Sequence, residues 1–551
     1  MMIKRILKKT LLQKPFLKKE CKLHGGIKLQ GFKSLSNATA VQILSVPPQL
    51  IIPLKQHIGE AAKPIVNVGD LVYKGQIIAE PNGYISSPVH ASSSGVVAAI
   101  EARPIPHASP IKETCIVIHT DRKDQWHPFV QSTPEPLALP PEDLRQRIRD
   151  AGIAGLGGAV FPSAVKLKPT SDITTLIING VECEPYITCD DVLMRHHADA
   201  IIQGALLLAR IVRPQKIIVA IEDNKPQAFQ SVTNAINRLK AAGAAAANTI
   251  HAAQVPEIFP AGGEKQLIKV LTGKEVPSGS LPYELGIICI NVGTTAAIYD
   301  ALYKGQPLVS RIMTVTGEGL DAPGNYRVLL GTPIHYVLAN AGVARQHNAE
   351  VIMGGPMMGV AIADHAAPVV KATNCLLIKN TRQIRQPPAS MPCIRCGRCA
   401  TVCPITLLPQ QLYWHARSKE FDKLPAYHID DCIECGCCQV VCPAKLPLVH
   451  YFRFAKSELK ARERERKKAD VSRLRNEARQ VRSEKARIEQ EERKARRKAA
   501  RKQVITPETN PDQSTPDSLN ASSLQGVAPE PQTHENTSMV KHEDQTKTMA
   551  R

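Results

Sequence analysis

Residues 393–404 read CIRCGRCATVCP and residues 432–443 read CIECGCCQVVCP. Both runs have the spacing C-x2-C-x2-C-x3-C-P. Three cysteines at intervals of three place three thiolates on one tight loop, which suits three iron corners of a cubane. Zinc sites are usually built instead from two paired C-x2-C units. The fourth cysteine of each run is read as opening a helix and facing away, towards the group held by the other run. The two quartets are therefore Cys393, Cys396, Cys399 and Cys442, and Cys403, Cys432, Cys435 and Cys438. Cys437 is an extra thiol, read as a bystander because Cys438 keeps the spacing.

The paired runs are similar to bacterial two-cluster ferredoxins, which implies two [4Fe–4S] clusters in a helical module over 386–455. The 28 residues between Cys403 and Cys432 exceed the linker of a small ferredoxin, so a helix is predicted over Leu407–Lys419. Fifteen cysteines, eight of them in this oxidation-sensitive spacing, point to a reducing compartment.

Upstream, residues 136–305 alternate helix and strand, as in an α/β layer fold. Glu142–Gly152 and Leu193–Ile211 have helical periodicity, and Thr174–Ile178 and Lys216–Ile221 are β-branched strands. Between them stands Gly155-Leu-Gly-Gly-Ala-Val-Phe161-Pro162. A dinucleotide fingerprint needs a strand before it and Gly or Ala at its sixth position. Here that position is Val160 and Pro162 follows, so this is not an ordinary Rossmann turn. Such a loop reads either as a tight structural turn or as backbone free to approach a phosphate, with Lys166 and Lys168 as nearby charges. Asn179-Gly-Val-Glu182-Cys183-Glu184, Gly262-Gly263-Glu264 and Cys289-Ile-Asn291 follow the next apolar runs, at strand ends where α/β folds place ligands.

Residues 25–135 are rich in short Val/Ile runs between turns. Val68–Gln76, Ser87-Pro88-Val89 and Gly95-Val96-Val97 resemble a biotinyl/lipoyl-type barrel sandwich. That family carries its modified lysine at a hairpin tip, but residues 77–87 contain no lysine, so a swinging arm is absent. Residues 306–385 turn strand-rich again, with a helix near Ile334–Ala341, and resemble a soluble-ligand-binding β-grasp module. The fold class is thus multidomain α+β and α/β.

The segment 140–310 resembles the flavin- and NADH-binding subunit of respiratory complex I, whose flavin loop also has the form G-x-G-G-A-x-F-P. The whole order resembles the C subunit of the Rnf/Rsx-type ion-translocating oxidoreductase complexes. This order is barrel sandwich, flavin-type fold, β-grasp, Gly354-Gly-Pro-Met-Met-Gly359 and paired ferredoxin runs. By that resemblance Gly155, Gly157, Gly158 and Lys166 contact FMN. Asn179, Glu182 and Glu184 lie by flavin and nicotinamide, and Phe161 lies near the nicotinamide. Gly180 and Val181 replace acidic residues of complex I, and the Glu264 segment has one carboxylate where complex I has two. NADH delivers two electrons together and clusters accept one, so a flavin is the converter between them. The implied role is a peripheral electron-input subunit on the cytoplasmic face of the bacterial inner membrane. NAD(H) exchanges electrons with it, membrane and peripheral subunits of the complex move ions, and ferredoxin is a further implied partner. Two rivals are a soluble flavin/iron–sulfur reductase serving a cofactor such as a corrinoid, and a plain electron carrier.

The chain has 551 residues and a formal net charge of +20. Residues 1–24 carry eight Lys/Arg against one Glu, and 456–502 carry twenty against nine Asp/Glu. The middle is therefore close to neutral. The basic arm 1–24 reads as a disordered start or as a contact for an anionic membrane surface. No apolar run approaches a bilayer span, and the start lacks the apolar core of a secretory signal. Residues 456–502 read as a charged helix: a solvated spacer, a membrane-surface or partner-docking element, or a nucleic-acid binder. No aromatic follows Phe454, which removes base stacking from the last of these. Residues 503–551, with five Pro and no aromatic, are predicted to be disordered. His196 and His197 read as surface polar residues, and Cys183 and Cys189 as packing residues.

Overall fold

A computed structural model describes residues 23–243, 245–318, 320–342, 350–379 and 389–503. Nearly all of the basic arm and of the polar tail therefore lie outside the described residues. The chain divides into two compact units, Met1–Lys456 and Ser457–Arg551.

Four parallel strands form the centre of the first unit, in the spatial order Ile250–Val255, Lys216–Glu222, Thr175–Gly180 and Ile287–Asn291. Leu176, Ile177 and Ile178, like Ile217–Ile221, are buried on both faces, as expected for strands covered by helices on either side. The covering helices include Pro141–Asp150, Ala198–Val212, Pro226–Ala241, Glu264–Thr272 and Val292–Lys304. Asn291 starts the last of these by accepting the N–H groups of Gly293 (2.8 Å) and Thr294 (3.3 Å). The long helix predicted over 193–211 is in fact two, Cys189–His196 and Ala198–Val212. His197, at φ −129°, leaves the helical track between them while its N–H still reaches the Leu193 carbonyl.

The barrel sandwich has two sheets. One pairs Gln49–Pro53, Lys112–Thr120, Gly95–Pro104 and Leu71–Val72; the other pairs Lys63–Pro64, Ile77–Glu80 and Val89–His90. Leu50, Ile52, Val72, Ile78, Val97, Ile116 and Ile118 close the space between them. Residues before 44 lie outside these sheets. Ile27 bridges to Phe259, and Gln42–Ile43 adds an edge strand beside Gly324–Leu329. The β-grasp sheet continues through Ser310–Thr316, Cys375–Lys379, Glu350–Met353 and Val360–Ala361, with the helix Ile334–Asn340 packed on it. The N-terminal segment therefore straps two modules together.

In the cysteine module a helix Pro409–Arg417 occupies the predicted insertion. The two runs repeat each other in backbone as well as spacing. Arg395 and Glu434, and Gly397 and Gly436, all have positive φ. One expectation is corrected. Cys403 and Cys442 do not open helices; they follow the one-turn helices Arg398–Thr401 and Cys437–Val440. Pro404 and Pro443 come next, and a residue before proline is pushed off the helical conformation, so the turn ends there.

From Leu448 the chain is helical to Gln503. Beyond Ser457 its side chains are mostly exposed and charged, with i,i+3 and i,i+4 pairs such as Arg487–Glu484 and Lys467–Glu463. No helix among the described residues is long and apolar enough to cross a membrane.

Candidate functional site

In sequence order the central strands run third, second, first, fourth across the sheet. The direction of winding reverses between Thr175–Gly180 and Ile287–Asn291, and the crevice outside the carboxyl ends there is where such folds bind ligands. Three elements meet at this crevice: the Gly155–Phe161 loop, the strand ends at Asn179 and Asn291, and the Gly262–Glu264 turn. Asn179 ties two of them, donating from Nδ2 to the Gly262 carbonyl (2.9 Å) and accepting the Val181 N–H (3.0 Å). Gly262 has to be glycine, because a Cβ there would stand 2.2 Å from the Val181 carbonyl oxygen.

The Gly-rich loop closes on itself through Gly155 N–H to the Phe161 carbonyl (2.9 Å). It is fixed to the helix start by Leu156 N–H to Thr294 Oγ1 (2.9 Å). Gly157 lies against the Asn291 side chain, and Gly158, at φ 111°, has open space where a Cβ would be. Gly157, Gly158 and Ala159 are exposed. Lys166 reaches Glu264 Oε1 at 2.7 Å, placing one cation and one carboxylate together, both partly exposed. An exposed glycine backbone beside a cation suits a phosphate, and the Asn179 amide, with one N–H used on Gly262, keeps another for a polar ring. This donor set fits FMN.

Glu182 and Glu184 have other partners. The buried carboxylate of Glu182 accepts the N–H groups of Asp190 (2.8 Å) and Asp191 (3.3 Å) at the start of the helix Cys189–His196. Glu184 Oε1 accepts from Met357 N (2.7 Å) and Met358 N (3.0 Å), which explains the Gly354–Gly359 loop. A Cβ on Gly355 would fall 2.1 Å from Glu184 Cγ. Burial raises the Glu184 pKa against the pull of those two N–H groups.

Lys33 was not foreseen. Its Nζ donates to the carbonyls of Glu182 (2.7 Å), Glu184 (2.8 Å) and Ile187 (2.7 Å), and burial lowers its pKa. Nothing in its local sequence announces this, because its partners are about 150 residues away. Asn291 and Glu264 were visible as polar residues after an apolar strand and a Gly-Gly turn, yet only their segments were singled out.

Cys393, Cys396, Cys399 and Cys442 line one cavity of the cysteine module. Cys403, Cys432, Cys435 and Cys438 line another. Cys437 also borders the second hollow, its thiol turned to the Phe259 carbonyl. The other four thiols there, like the four of the first hollow, are a donor set that fits a cubane cluster. The first quartet is the more open, with Cys396 exposed. Around the second, Cys435 and the fully buried Cys437 pack with Phe259, Ile27 and Cys183. Cys183 accepts the Gly262 N–H at 3.3 Å, and burial pushes its thiol pKa up to about 12. A single packed layer therefore separates the second quartet from the crevice.

Family models match along the chain. They are the RnfC barrel sandwich hybrid domain at 21–123, the Nuo51 FMN-binding domain at 148–300, the SLBB domain at 312–361 and the 4Fe-4S dicluster domain at 392–446. The C subunit of an ion-translocating oxidoreductase complex from Pseudomonas aeruginosa is 46% identical over 463 residues, covering 83% of this chain and 58% of that protein. Its counterpart in Edwardsiella ictaluri is 44% identical, covering 89% and 60%. That of Haemophilus influenzae strain PittEE is 43% identical, covering 84% and 69%. The chain thus spans about three fifths of the length of the first two relatives. Among solved structures, an NAD+-reducing [NiFe]-hydrogenase aligns at 21% identity over 52% of this chain and 54% of that one, with a TM-score of 0.40. Barrel sandwich, FMN-binding, β-grasp and dicluster modules stand in one order along the chain, and relatives match across most of it. The chain belongs to the RnfC family, the C subunits of ion-translocating oxidoreductase complexes.

Proposed function

We propose that this chain is the electron-input subunit of a membrane-bound complex, passing electrons between NADH and partner subunits that translocate ions. FMN, bound in the crevice, supplies the conversion between a two-electron hydride and single electrons. Gly157, Gly158 and Lys166 hold its phosphate end. The remaining N–H of the Asn179 amide faces the ring, Asn291 holds the helix start and Asp190 in place beside it, and Phe161 borders the nicotinamide side. The quartet Cys403, Cys432, Cys435 and Cys438 holds the cluster nearer the flavin. The quartet Cys393, Cys396, Cys399 and Cys442 holds the outer one, whose exposure leaves it open to the next redox partner. The chain sits peripherally on the cytoplasmic face of the inner membrane.

The observation that carries this reading is the contact of the Cys435–Cys437 loop with Phe259 beside the Gly262 turn. It joins the crevice to the nearer quartet through packed protein. The protein's part is to hold the carriers close and to set their potentials by burial and hydrogen bonds to sulfur. Anaerobic reconstitution tests it. Protein loaded with iron, sulfide and FMN should show flavin absorbance that NADH bleaches, followed by reduced-cluster EPR signals. Intact clusters with no retained flavin, or flavin that NADH leaves oxidised, would reject the input role and leave a plain carrier.

A further inference from the structure

A cavity of about 350 Å³ lies where the barrel sandwich, the central α/β fold and the β-grasp sheet meet. Lys74 and Trp126 reach it from the barrel, His197 from the break between two helices, Lys304 from the end of the helix Val292–Lys304, and Arg311 and Arg327 from the β-grasp strands. The cations are not equally engaged. Lys74 pairs with Asp124 at 2.5 Å, and Lys304 with Asp300 at 2.7 Å. The buried Arg311 donates to the carbonyls of Lys371 and Leu156. The Arg327 side chain has no hydrogen-bond or ion-pair partner among the described residues. Two carboxylates, Asp190 and Asp300, face four permanent cations. Burial and the charge of Arg327 keep the His197 imidazole below its ordinary pKa, so it adds a neutral donor rather than a fifth charge.

The rest of the wall is mostly apolar, with Leu193, Ala296 and Leu308, and Gln306 and Ser310 add two polar groups. The Trp126 ring stands at the barrel side with the Lys74 ammonium 4.8 Å from its centroid. A guanidinium lacking an anion recognises phosphate by paired hydrogen bonds, and an indole face offers a stacking surface for a planar ring. The volume lies at the low end of small-molecule sites. We propose that this cavity binds a phosphorylated small molecule with a planar ring, of mononucleotide size. Arg327 takes the phosphate and Trp126 faces the ring. The cavity borders the flavin crevice, sharing Leu156 of the Gly-rich loop and Gly293 at the helix start, but it does not include Gly157, Gly158, Lys166 or Asn179, and its proposed occupancy does not rest on the flavin assignment. Arg311 links the two, since it donates to the carbonyl of Leu156 in the Gly-rich loop.

Isothermal titration of the cofactor-loaded protein with AMP and with inorganic phosphate tests this. AMP should bind saturably and more tightly than phosphate. Arg327→Ala should weaken both at least about tenfold, the loss expected for one charge-assisted contact. Trp126→Ala should weaken AMP alone. Iron and flavin content, measured on each variant, report whether it folds and whether the flavin crevice is intact. Should Arg327→Ala fail that check, Lys304→Ala, at a half-exposed position, is expected to weaken binding several-fold. No saturable AMP binding at millimolar concentration would overturn the proposal. So would AMP affinity unchanged in both Arg327→Ala and Lys304→Ala, because that binding would belong to the flavin crevice.

Discussion

The thiol of Cys437 lies 3.9 Å from the carbonyl oxygen of Phe259, in the layer that separates the cysteine module from the flavin-type crevice. Cys437 is fully buried, whereas a cluster ligand must turn towards its cluster. It borders the same hollow as Cys435 and Cys438, but its thiol is engaged by the Phe259 carbonyl, which assigns it to packing. Cys437→Ala is expected to keep about eight irons per chain and to lose about 1 kcal/mol of stability from the small cavity left behind. Cys435→Ala should lose about four irons. Iron analysis of anaerobically purified variants decides between ligand and packing roles, and iron loss in Cys437→Ala would make Cys437 a ligand.

Crossed ligation makes a second, sharper forecast. Cys442 stands far along the chain from Cys393, Cys396 and Cys399, beyond the whole inserted helix, but shares a cavity with them. Cys442→Ser and Cys393→Ser should then abolish the same EPR signal, and Cys403→Ser and Cys432→Ser should abolish the other. If Cys442→Ser instead removed the signal lost in Cys432→Ser, the quartets would be uncrossed.

What could be read beforehand was whatever depends on neighbours in sequence. Ile217–Ile221 form a strand because five apolar residues in a row need cover on both faces. The triplets Cys393, Cys396, Cys399 and Cys432, Cys435, Cys438 are legible because their spacing is local. The Lys33 carbonyl cluster and the Glu184–Met357 contact were illegible, since each joins segments about 150 or more residues apart. The carboxylates of Glu182 and Glu184 at a strand end are expected as ligand contacts; in the fold Glu182 also accepts the Asp190 and Asp191 N–H groups and Glu184 Oε1 those of Met357 and Met358, partners that no local stretch of sequence shows. The break at His197 was hidden because the apolar periodicity continues on both sides of it. Strand order, which locates the crevice between Asn179 and Asn291, is a property of the whole sheet and of no single stretch.

His90 makes the fold sensitive to acid. It is buried, its Nδ1 has no hydrogen-bond partner, and burial followed by the charge of Lys371 holds its pKa down at about 3. Unfolded, the imidazole takes up a proton below its ordinary value of 6.5; folded, it stays neutral. The unfolded state thus binds more protons between pH 6.5 and 3. Stability is full above that window and falls as the pH drops through it. The loss should reach roughly 2 kcal/mol by about pH 5, at about 1.4 kcal/mol per pH unit. His57, also held down by burial, acts in the same direction and remains in the variant. Thermal melts at about pH 7 and about pH 5, either side of the onset of this loss, should show a smaller decrease in Tm for His90→Gln than for the parent. Equal decreases would mean that His90 is hydrated and titrates normally.

Lys33 offers the most direct test of the strap. Its ammonium gathers three carbonyls of the Glu182–Ile187 loop, which carries Cys183 and Glu184 between the crevice and the nearer quartet. Lys33→Met keeps the stem but leaves the carbonyls of Glu184 and Ile187 without a donor in a buried place, while that of Glu182 keeps Lys225 Nζ at 3.2 Å. The cost is on the order of 3 kcal/mol, because unsatisfied buried groups lose their full solvation. The loop should then loosen where it meets Met357, so flavin retention should fall while the outer quartet keeps its cluster. Lys33→Arg, which keeps the charge, should recover part of the stability. Urea denaturation followed by flavin and iron analysis gives both readings. A Lys33→Met protein with parental stability and full flavin content would show that the strap is dispensable.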